Sequence, residues 1–328
     1  MLFLIPYLFP EPAFVQRALG GLRLPALEAL LARGARTACA AEGVEAALCG
    51  ELGIARQFDY PIAPITLEDD GGTAGTDYWL RADPVHLRVM RDRIVLADSG
   101  VLEISRQEAE ALAQSIAKHY GEAFSPVPLR PERWYVRFST TPRLLTTPVS
   151  NAAGRDISPL LPQGDEASTF RTLLNELQML LFEHPVNQAR EARGELPINS
   201  LWLWGGGRKP VVDRAGVPLY TRDAGARALG KFCQADVHTL PSRMELKPLS
   251  MHGVFLLDQL VSAGQYGDAY GWREAIRALE GDWFAPLRQN LGRIDPAGIH
   301  LTDPVNGTSL LLKRPDAWKF WLRPRPLP

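Results

Sequence analysis

A chain of 328 residues with 46% hydrophobic and 22% charged side chains has the composition of an ordinary globular protein, large enough for one big core or two domains, which excludes a wholly disordered chain. Its 36 basic and 37 acidic residues leave a formal charge of -1, so no one-signed field covers the whole surface to draw in nucleic acid or anionic lipid. The cysteines, Cys39, Cys49 and Cys233, are odd in number and lack C-x-x-C spacing, which fits buried thiols in a reducing, cytoplasmic compartment better than a disulfide framework.

The opening MLFLIPYLFPEP lacks a basic leader and a small-residue cleavage site and is cut by Pro6, Pro10 and Pro12, so it reads as a buried first strand. No run approaches the roughly 18 uninterrupted apolar residues of a membrane span. Leucines at helical spacing over 16–34 predict a helix ending at Gly34, and the Ala-rich run 40–56 predicts a second. Between Phe58 and Asp77 the pattern changes to prolines and then to DDGGTAGTD, whose glycines and acids read as a turn-rich connection with no core-forming power. YWLRADPVHLRV and DRIVLAD follow as strands, and Ser105 with Glu108 forms a capping box opening a helix over SRQEAEALAQSIAKHYG. WYVRFST and RLLTTPV add two short strands, so 77–150 reads as an inserted α+β module.

The helix over 168–183 carries Phe170, Leu173, Leu174, Leu177, Leu180 and Leu181 on one stripe, and Pro185 restarts the chain as a new short helix. Ser200–Trp204 is fully apolar, as a strand buried in a parallel sheet would be. Helices are expected over 252–263 and 271–280, and strands over 298–302 and 309–313. The pattern is α/β: a core of 1–76 and 151–328 with a mostly parallel sheet, interrupted by the 77–150 module. In the tail, DAWKFWLRPRPLP alternates aromatic and basic residues. In a chain with no basic excess, that alternation predicts a final strand packing into the core rather than a nucleic-acid surface.

The candidate ligand cradle lies in HPVNQAREARGELPINSLWLWGGGR. Asn187 and Arg190 share a helix face with Arg193 close by, and Gly205, Gly206 and Gly207 follow a strand, where free backbone amides can turn toward an anion. Such a set suits a carboxylate or phosphate. Metal signals are weak. Asp236 and His238, two apart, are the best candidates, but further ligands are not nominated by spacing. His184 before Pro185 reads as a helix-end histidine beside terminal carbonyls.

The segment NQAREARGELPINSLWLWGGG, the helix before it and the later DPVNG resemble the archaeal-type cofactor-independent phosphoglycerate mutases of the alkaline phosphatase superfamily. WLRADPVHLRV and the helix starting at Ser105 resemble that family's inserted domain. The overall layout is similar to bacterial regulators of pathogenicity-factor production (E type), themselves described as phosphoglycerate-mutase-like. The resemblance implies an alkaline-phosphatase-like core and places Asn187, Arg190, Asn199 and Arg208 around a phosphate ester. It also implies two metal ions activating a Ser or Thr nucleophile, and here the chain departs. Pro6-Tyr7 stands where the family has Asp-Gly, the window from Ala38 to Ile65 holds no Ser or Thr, and the late Asp-His becomes Asp303-Pro304. The region Asn151 to Arg155 replaces an Asp-Pro-His triplet. The expectation is a catalytically degenerate protein with a regulatory role and no cofactor. Its partners would be a phosphorylated metabolite or a protein, with neither nucleic acid nor membrane. The alternatives are a working Mn- or Zn-dependent phosphoryl-transfer enzyme, with Asp303 joining Asp236 and His238 as candidate ligands, and an interaction protein with no ligand.

Overall fold

Short apolar runs bounded by proline and glycine become the strands of this fold. The computed structural model describes residues 1–212, 216–244, 252–294 and 297–327. In it the strands follow as β1 (Leu2–Leu4), β2 (Ala35–Ala38), β3 (Tyr78–Val89), β4 (Ile94–Ala97), β5 (Pro126–Arg130), β6 (Arg133–Phe138), β7 (Leu144–Leu145), β8 (Gln163–Gly164) and β9 (Ser200–Gly207), then β10 (Leu219–Thr221), β11 (Val237–Thr239), β12 (Val254–Leu256), β13 (Ile299–Asp303) and β14 (Thr308–Leu312). Contacts divide the chain into two units, Met1–Leu52 with Arg214–Pro328, and Gly53–Asp213. The boundaries expected from the sequence, after 76 and after 150, both fall inside the second unit.

The first unit holds a seven-stranded sheet in the order β11-β10-β12-β1-β13-β14-β2. It is parallel from β11 to β13 and antiparallel where β14 joins β13 and β2. This is the expected α/β class with a mostly parallel sheet. Parallel strands lie about 4.8 Å apart and place partnered side chains on the same face. His238, Tyr220, Phe255 and Phe3 are partners in register, so their rings form a stack across four strands, with successive centroids 4.8, 4.5 and 4.9 Å apart. Trp283 then meets Phe3 edge-on at 6.1 Å.

Three sequence-based elements change here. The helix expected over 252–263 is a strand, β12, followed by the short helix Val261–Gln265. Three apolar residues buried between β10 and β1 carry no periodicity that separates strand from helix. The helix expected over 16–34 is two, Pro12–Leu19 and Pro25–Arg33, because Gly20 turns left-handed at φ 49° and Pro25 starts the next helix. The tail is also not a strand. It forms a 3-10 turn, Arg314–Trp318, followed by a turn in which Leu322 N donates to the carbonyl of Lys319, and its aromatic rings are exposed.

The second unit is α+β. β4, β3, β6 and β5 lie side by side, and β9 adds to β3, all antiparallel. β9 therefore does not belong to a parallel sheet as its apolar run suggests. It is buried throughout because the helices Ile62–Asp69 and Ala167–Phe182 pack against it. The first of these helices buries Ile62, Ala63, Pro64, Ile65, Thr66 and Leu67, so a stretch that the sequence marks only by its prolines supplies part of the core. β3 accommodates Pro84 because pairing with β6 stops at Arg81 and pairing with β4 starts at His86, leaving one side open where no N–H is needed. The helix Arg106–Tyr120 opens with the Ser105 and Glu108 capping box that the sequence predicts.

A buried ion pair ties these layers together. Arg81 and Asp83 are two apart on β3, so they share a face. The guanidinium donates from Nε and Nη2 to Asp83 at 2.9 Å each. It also lies over the rings of Tyr135 and Trp204, at 5.3 and 5.1 Å. Trp204 Nε1 donates to Asp83 Oδ2 at 2.7 Å, and Tyr135 OH donates to Asp70 Oδ2 at 2.6 Å. Removing one charge of such a pair strands the other away from water. Asp83→Asn is expected to lower unfolding stability by roughly 3 to 5 kcal/mol, read from the urea midpoint, whereas Arg106→Ala, in an exposed pair with Glu110, leaves the midpoint nearly unchanged.

Candidate functional site

In an open α/β sheet, ligands gather beyond the carboxyl ends of parallel strands. Three of those strands in the first unit run into an aspartate: LYTRD ends at Asp223, VFLLD at Asp258 and IHLTD at Asp303. The repeated strand-then-Asp ending was available in the sequence, and only Asp303 was picked from it. β1, between β12 and β13, exits instead into Pro6-Tyr7.

Asp303 is fully buried. Its carboxylate accepts from Tyr7 N at 3.1 Å, Phe9 N at 2.9 Å, Val305 N at 3.0 Å, Asn306 N at 3.2 Å and Asn306 Nδ2 at 2.8 Å. A carboxylate has about four lone-pair positions, so these donors saturate it. Tyr7 takes a left-handed backbone, φ 62°, which a bulky residue adopts only when its surroundings impose it. Its carbonyl accepts from Trp272 Nε1 at 2.9 Å, and its ring lies so close to Gly264 that a Cβ there would come within 2.4 Å. An aromatic side chain thus fills the corner where the resemblance calls for a metal-binding Asp-Gly.

Asp223 caps the helix Ala224–Phe232, accepting from Ala226 N at 2.6 Å. Asp258 is half-buried. Burial raises its carboxyl above the usual range, and the neighbouring charge of Asp223 adds to that while Arg222 opposes it. In the window without Ser or Thr, Cys39 is the nucleophile-type side chain nearest this edge, its Sγ 3.9 Å from the carbonyl of Asp303. Burial and the charge of Asp303 push the thiol upward, the reverse of what activates a nucleophile. No group of three or more His, Cys, Asp or Glu among the described residues could hold a metal. The donor set does not fit a two-metal centre. Asp236 and His238 pair with each other at 2.9 Å, and the His238 ring ends the aromatic stack on Tyr220.

The residues proposed as a cradle lie in the second unit and do not converge. Asn187 is buried, its Nδ2 donating to the carbonyls of Leu181 and Ile198 and its Oδ1 accepting from Ile198 N. Arg190, also buried, donates to the carbonyls of Leu196 and Glu103 and to Glu108. Asn199 pairs with both backbone groups of Leu87. Arg208 is exposed and holds Thr141 Oγ1 and the carbonyl of Thr76. Asn199 and Arg208 flank an eight-residue strand, so their backbones are on the order of 30 Å apart at the ordinary strand rise, too far to clamp one phosphate ester.

The three glycines are the last residues of β9 rather than a loop after it. A Cβ would meet Ile62 Cβ at 2.9 Å from Gly205, Tyr78 OH at 2.2 Å from Gly206, and Pro61 Cβ at 2.5 Å from Gly207. Glycine is required here by close packing, and Gly205 N already donates to Thr146 Oγ1 at 2.9 Å. His184 caps the start of the helix Pro185–Ala192, accepting from Val186 N through Nδ1. Burial lowers its pKa. It acts as a neutral ring, with Nε2–H donating to Ser115 Oγ at 2.8 Å, rather than as a cation beside terminal carbonyls.

No family model matches the chain. It is 41% identical over 68 residues to the 2,3-bisphosphoglycerate-independent phosphoglycerate mutase of Methanothrix thermoacetophila, covering 21% of this chain and 17% of that protein. It is 30% identical over 136 residues to a probable enzyme of the same name from Geobacter sulfurreducens, covering 41% and 34%. The chain therefore matches about a sixth to a third of these relatives' length. The solved cofactor-independent phosphoglycerate mutase from Thermoplasma acidophilum aligns with 95% of this chain and 88% of its own, at 19% identity and a TM-score of 0.43. The chain is phosphoglycerate-mutase-like over the matched stretches.

Arg190→Ala would leave the carbonyls of Leu196 and Glu103 without this donor and remove one of the partners of Glu108, so it is expected to destabilise the second unit by about 2 to 4 kcal/mol, measured by denaturant unfolding. Because the folded state raises Asp258, the stability it contributes is full below the unfolded carboxyl pKa and is lost as pH rises through the folded value. Asp258→Asn should therefore raise the melting temperature at neutral pH, and that gain should vanish near pH ~4; an equal gain at both pH values would contradict the assignment.

Proposed function

We propose that this phosphoglycerate-mutase-like chain acts by binding rather than by turnover, in a regulatory role. The carrying observation is the corner formed by Asp303 and Tyr7. The carboxylate best placed to hold a metal is saturated by five N–H donors, and the adjoining strand exit is filled by an aromatic ring. Metal-assisted phosphoryl transfer needs open coordination positions and an activated nucleophile, and this corner supplies neither. No cofactor is part of the proposal.

Of the two kinds of ligand expected, a protein partner fits better than a phosphorylated metabolite, because Asn187 and Arg190 are committed inside the fold. The working-enzyme reading retains one supporting observation, that Asp223 and Asp258 follow the neighbouring parallel strands β10 and β12, two carboxylates that would need a third ligand to hold a divalent ion.

Interconversion of 2- and 3-phosphoglycerate, assayed with Mn, Zn or Co added, is expected to stay at the uncatalysed rate. Turnover at enzyme rates, abolished by a chelator and by Asp258→Asn, would overturn the proposal in favour of the metal enzyme. Calorimetric titration with 3-phosphoglycerate is expected to give no saturable heat. Saturable binding that Arg208→Ala weakens would move the ligand from a protein to a metabolite.

A further inference from the structure

The tail presents a surface that the proposed function does not use. Trp318, Phe320 and Trp321 are 72%, 72% and 67% exposed, and Leu322 is 40% exposed. Large apolar groups scattered singly on a surface need no explanation, but four within five residues form a patch. The segment is not a loose end. The Asp316 side chain accepts from Lys313 N at 2.7 Å, Arg325 N donates to the carbonyl of Glu28 at 3.0 Å, and Leu327 is buried in the core of the first unit. The segment is thus anchored on both sides of the rings. Phe320 and Trp321 brace each other edge-to-face at 5.5 Å.

The charge around these rings is one-sided. Between Lys313 and Leu327 the cations are Lys313, Arg314, Lys319, Arg323 and Arg325, against one acid, Asp316. Further cations arrive from another part of the chain. Arg33 Nη1 reaches the carbonyl of Ala317 and Lys319 Nζ that of Arg33, and Arg36 is near enough to Arg325 for their like charges to oppose one another. The chain as a whole is nearly neutral, so this concentration is local.

We propose that the 314–325 segment, with Arg33 and Arg36, docks the protein peripherally on an anionic lipid surface. Trp, Phe and Leu flanked by Arg and Lys is the composition that settles at a bilayer interface, rings among the acyl boundary and cations at acidic headgroups. Shape favours this occupant over nucleic acid. Side chains with about seven-tenths of their surface free stand proud of the protein, and a convex knob enters a deformable phase, whereas base stacking uses a groove lined with platforms. The edge-to-face Phe320 and Trp321 pair does not offer two parallel faces to successive bases.

The test is flotation of the full chain with vesicles of phosphatidylcholine alone and of phosphatidylcholine mixed with phosphatidylglycerol, at low and high salt. Binding is expected only to the mixed vesicles, with a blue shift of tryptophan emission, and it should weaken at least tenfold at high salt. Combined Trp318→Ser, Phe320→Ser and Trp321→Ser should abolish it, and combined Arg314→Glu and Arg323→Glu should reduce it about as much as salt does. All these side chains are exposed, so the variants are expected to melt like the parent, and Met179→Ser, an exposed apolar change in the second unit, should float like it. The proposal fails if the parent does not float with the mixed vesicles, or if the serine variant floats equally well. It also fails if the parent binds oligothymidylate but not vesicles, or if it self-associates through these rings in light scattering without binding lipid.

Discussion

The saturation of the Asp303 carboxylate constrains the whole carboxyl edge of the parallel sheet. By accepting from Tyr7 N and Phe9 N it dictates how the chain leaves β1, and by accepting from Val305 N and Asn306 N it shapes the turn into β14. A charge buried this deeply persists because its donors replace the water it lost. The same satisfaction that makes it structurally sound makes it a poor metal ligand, since coordination would have to displace these N–H donors. Tyr7 in its left-handed conformation is the visible result of this commitment.

The two units are held by different physics. In the first, cohesion across the sheet comes from rings in register, and it follows automatically once parallel strands pair with aromatic residues opposite one another. The second relies on Arg81 and Asp83, whose mutual attraction is worth having only because Tyr135, Trp204 and Trp134 complete the enclosure. An isolated pair so deep would cost more in lost hydration than it returned.

The sequence makes the fold class legible through its periodicities. The capping box at Ser105, the striped helix before Pro185 and the paired strands around DPVNG rest on local chemistry, and each is found where expected. Misreadings occur where burial erases the pattern. β9 is apolar on both faces, which a parallel sheet and a helix-covered antiparallel strand produce alike; β12 is too short for any period to register. The triple glycine is the instructive case. Backbone approach to an anion and backbone approach to a neighbouring helix both demand a missing Cβ, and only the positions of Ile62, Pro61 and Tyr78 tell which applies. By spacing alone Asn187 and Arg190 present donors outward, whereas their partners are chiefly carbonyls that no residue spacing reveals. Departures at Pro6-Tyr7 and Asp303-Pro304 were informative because they concern residue identity, which needs no geometry to interpret.

The discontinuity of the first unit also governs the order in which the protein can form during synthesis. β1 pairs with β12 through Leu2 and Val254, so its nearest partner on that side emerges 252 residues later (254 − 2 = 252). At ribosomal speeds of about 5 to 20 residues per second, that is roughly 10 to 50 s. The second unit, contiguous from Gly53 to Asp213, has its entire sheet available well before then. The apolar Leu2–Ile5 must meanwhile wait unpaired, with both strand edges open. A strand made before the whole second unit is among the last to reach its final neighbours.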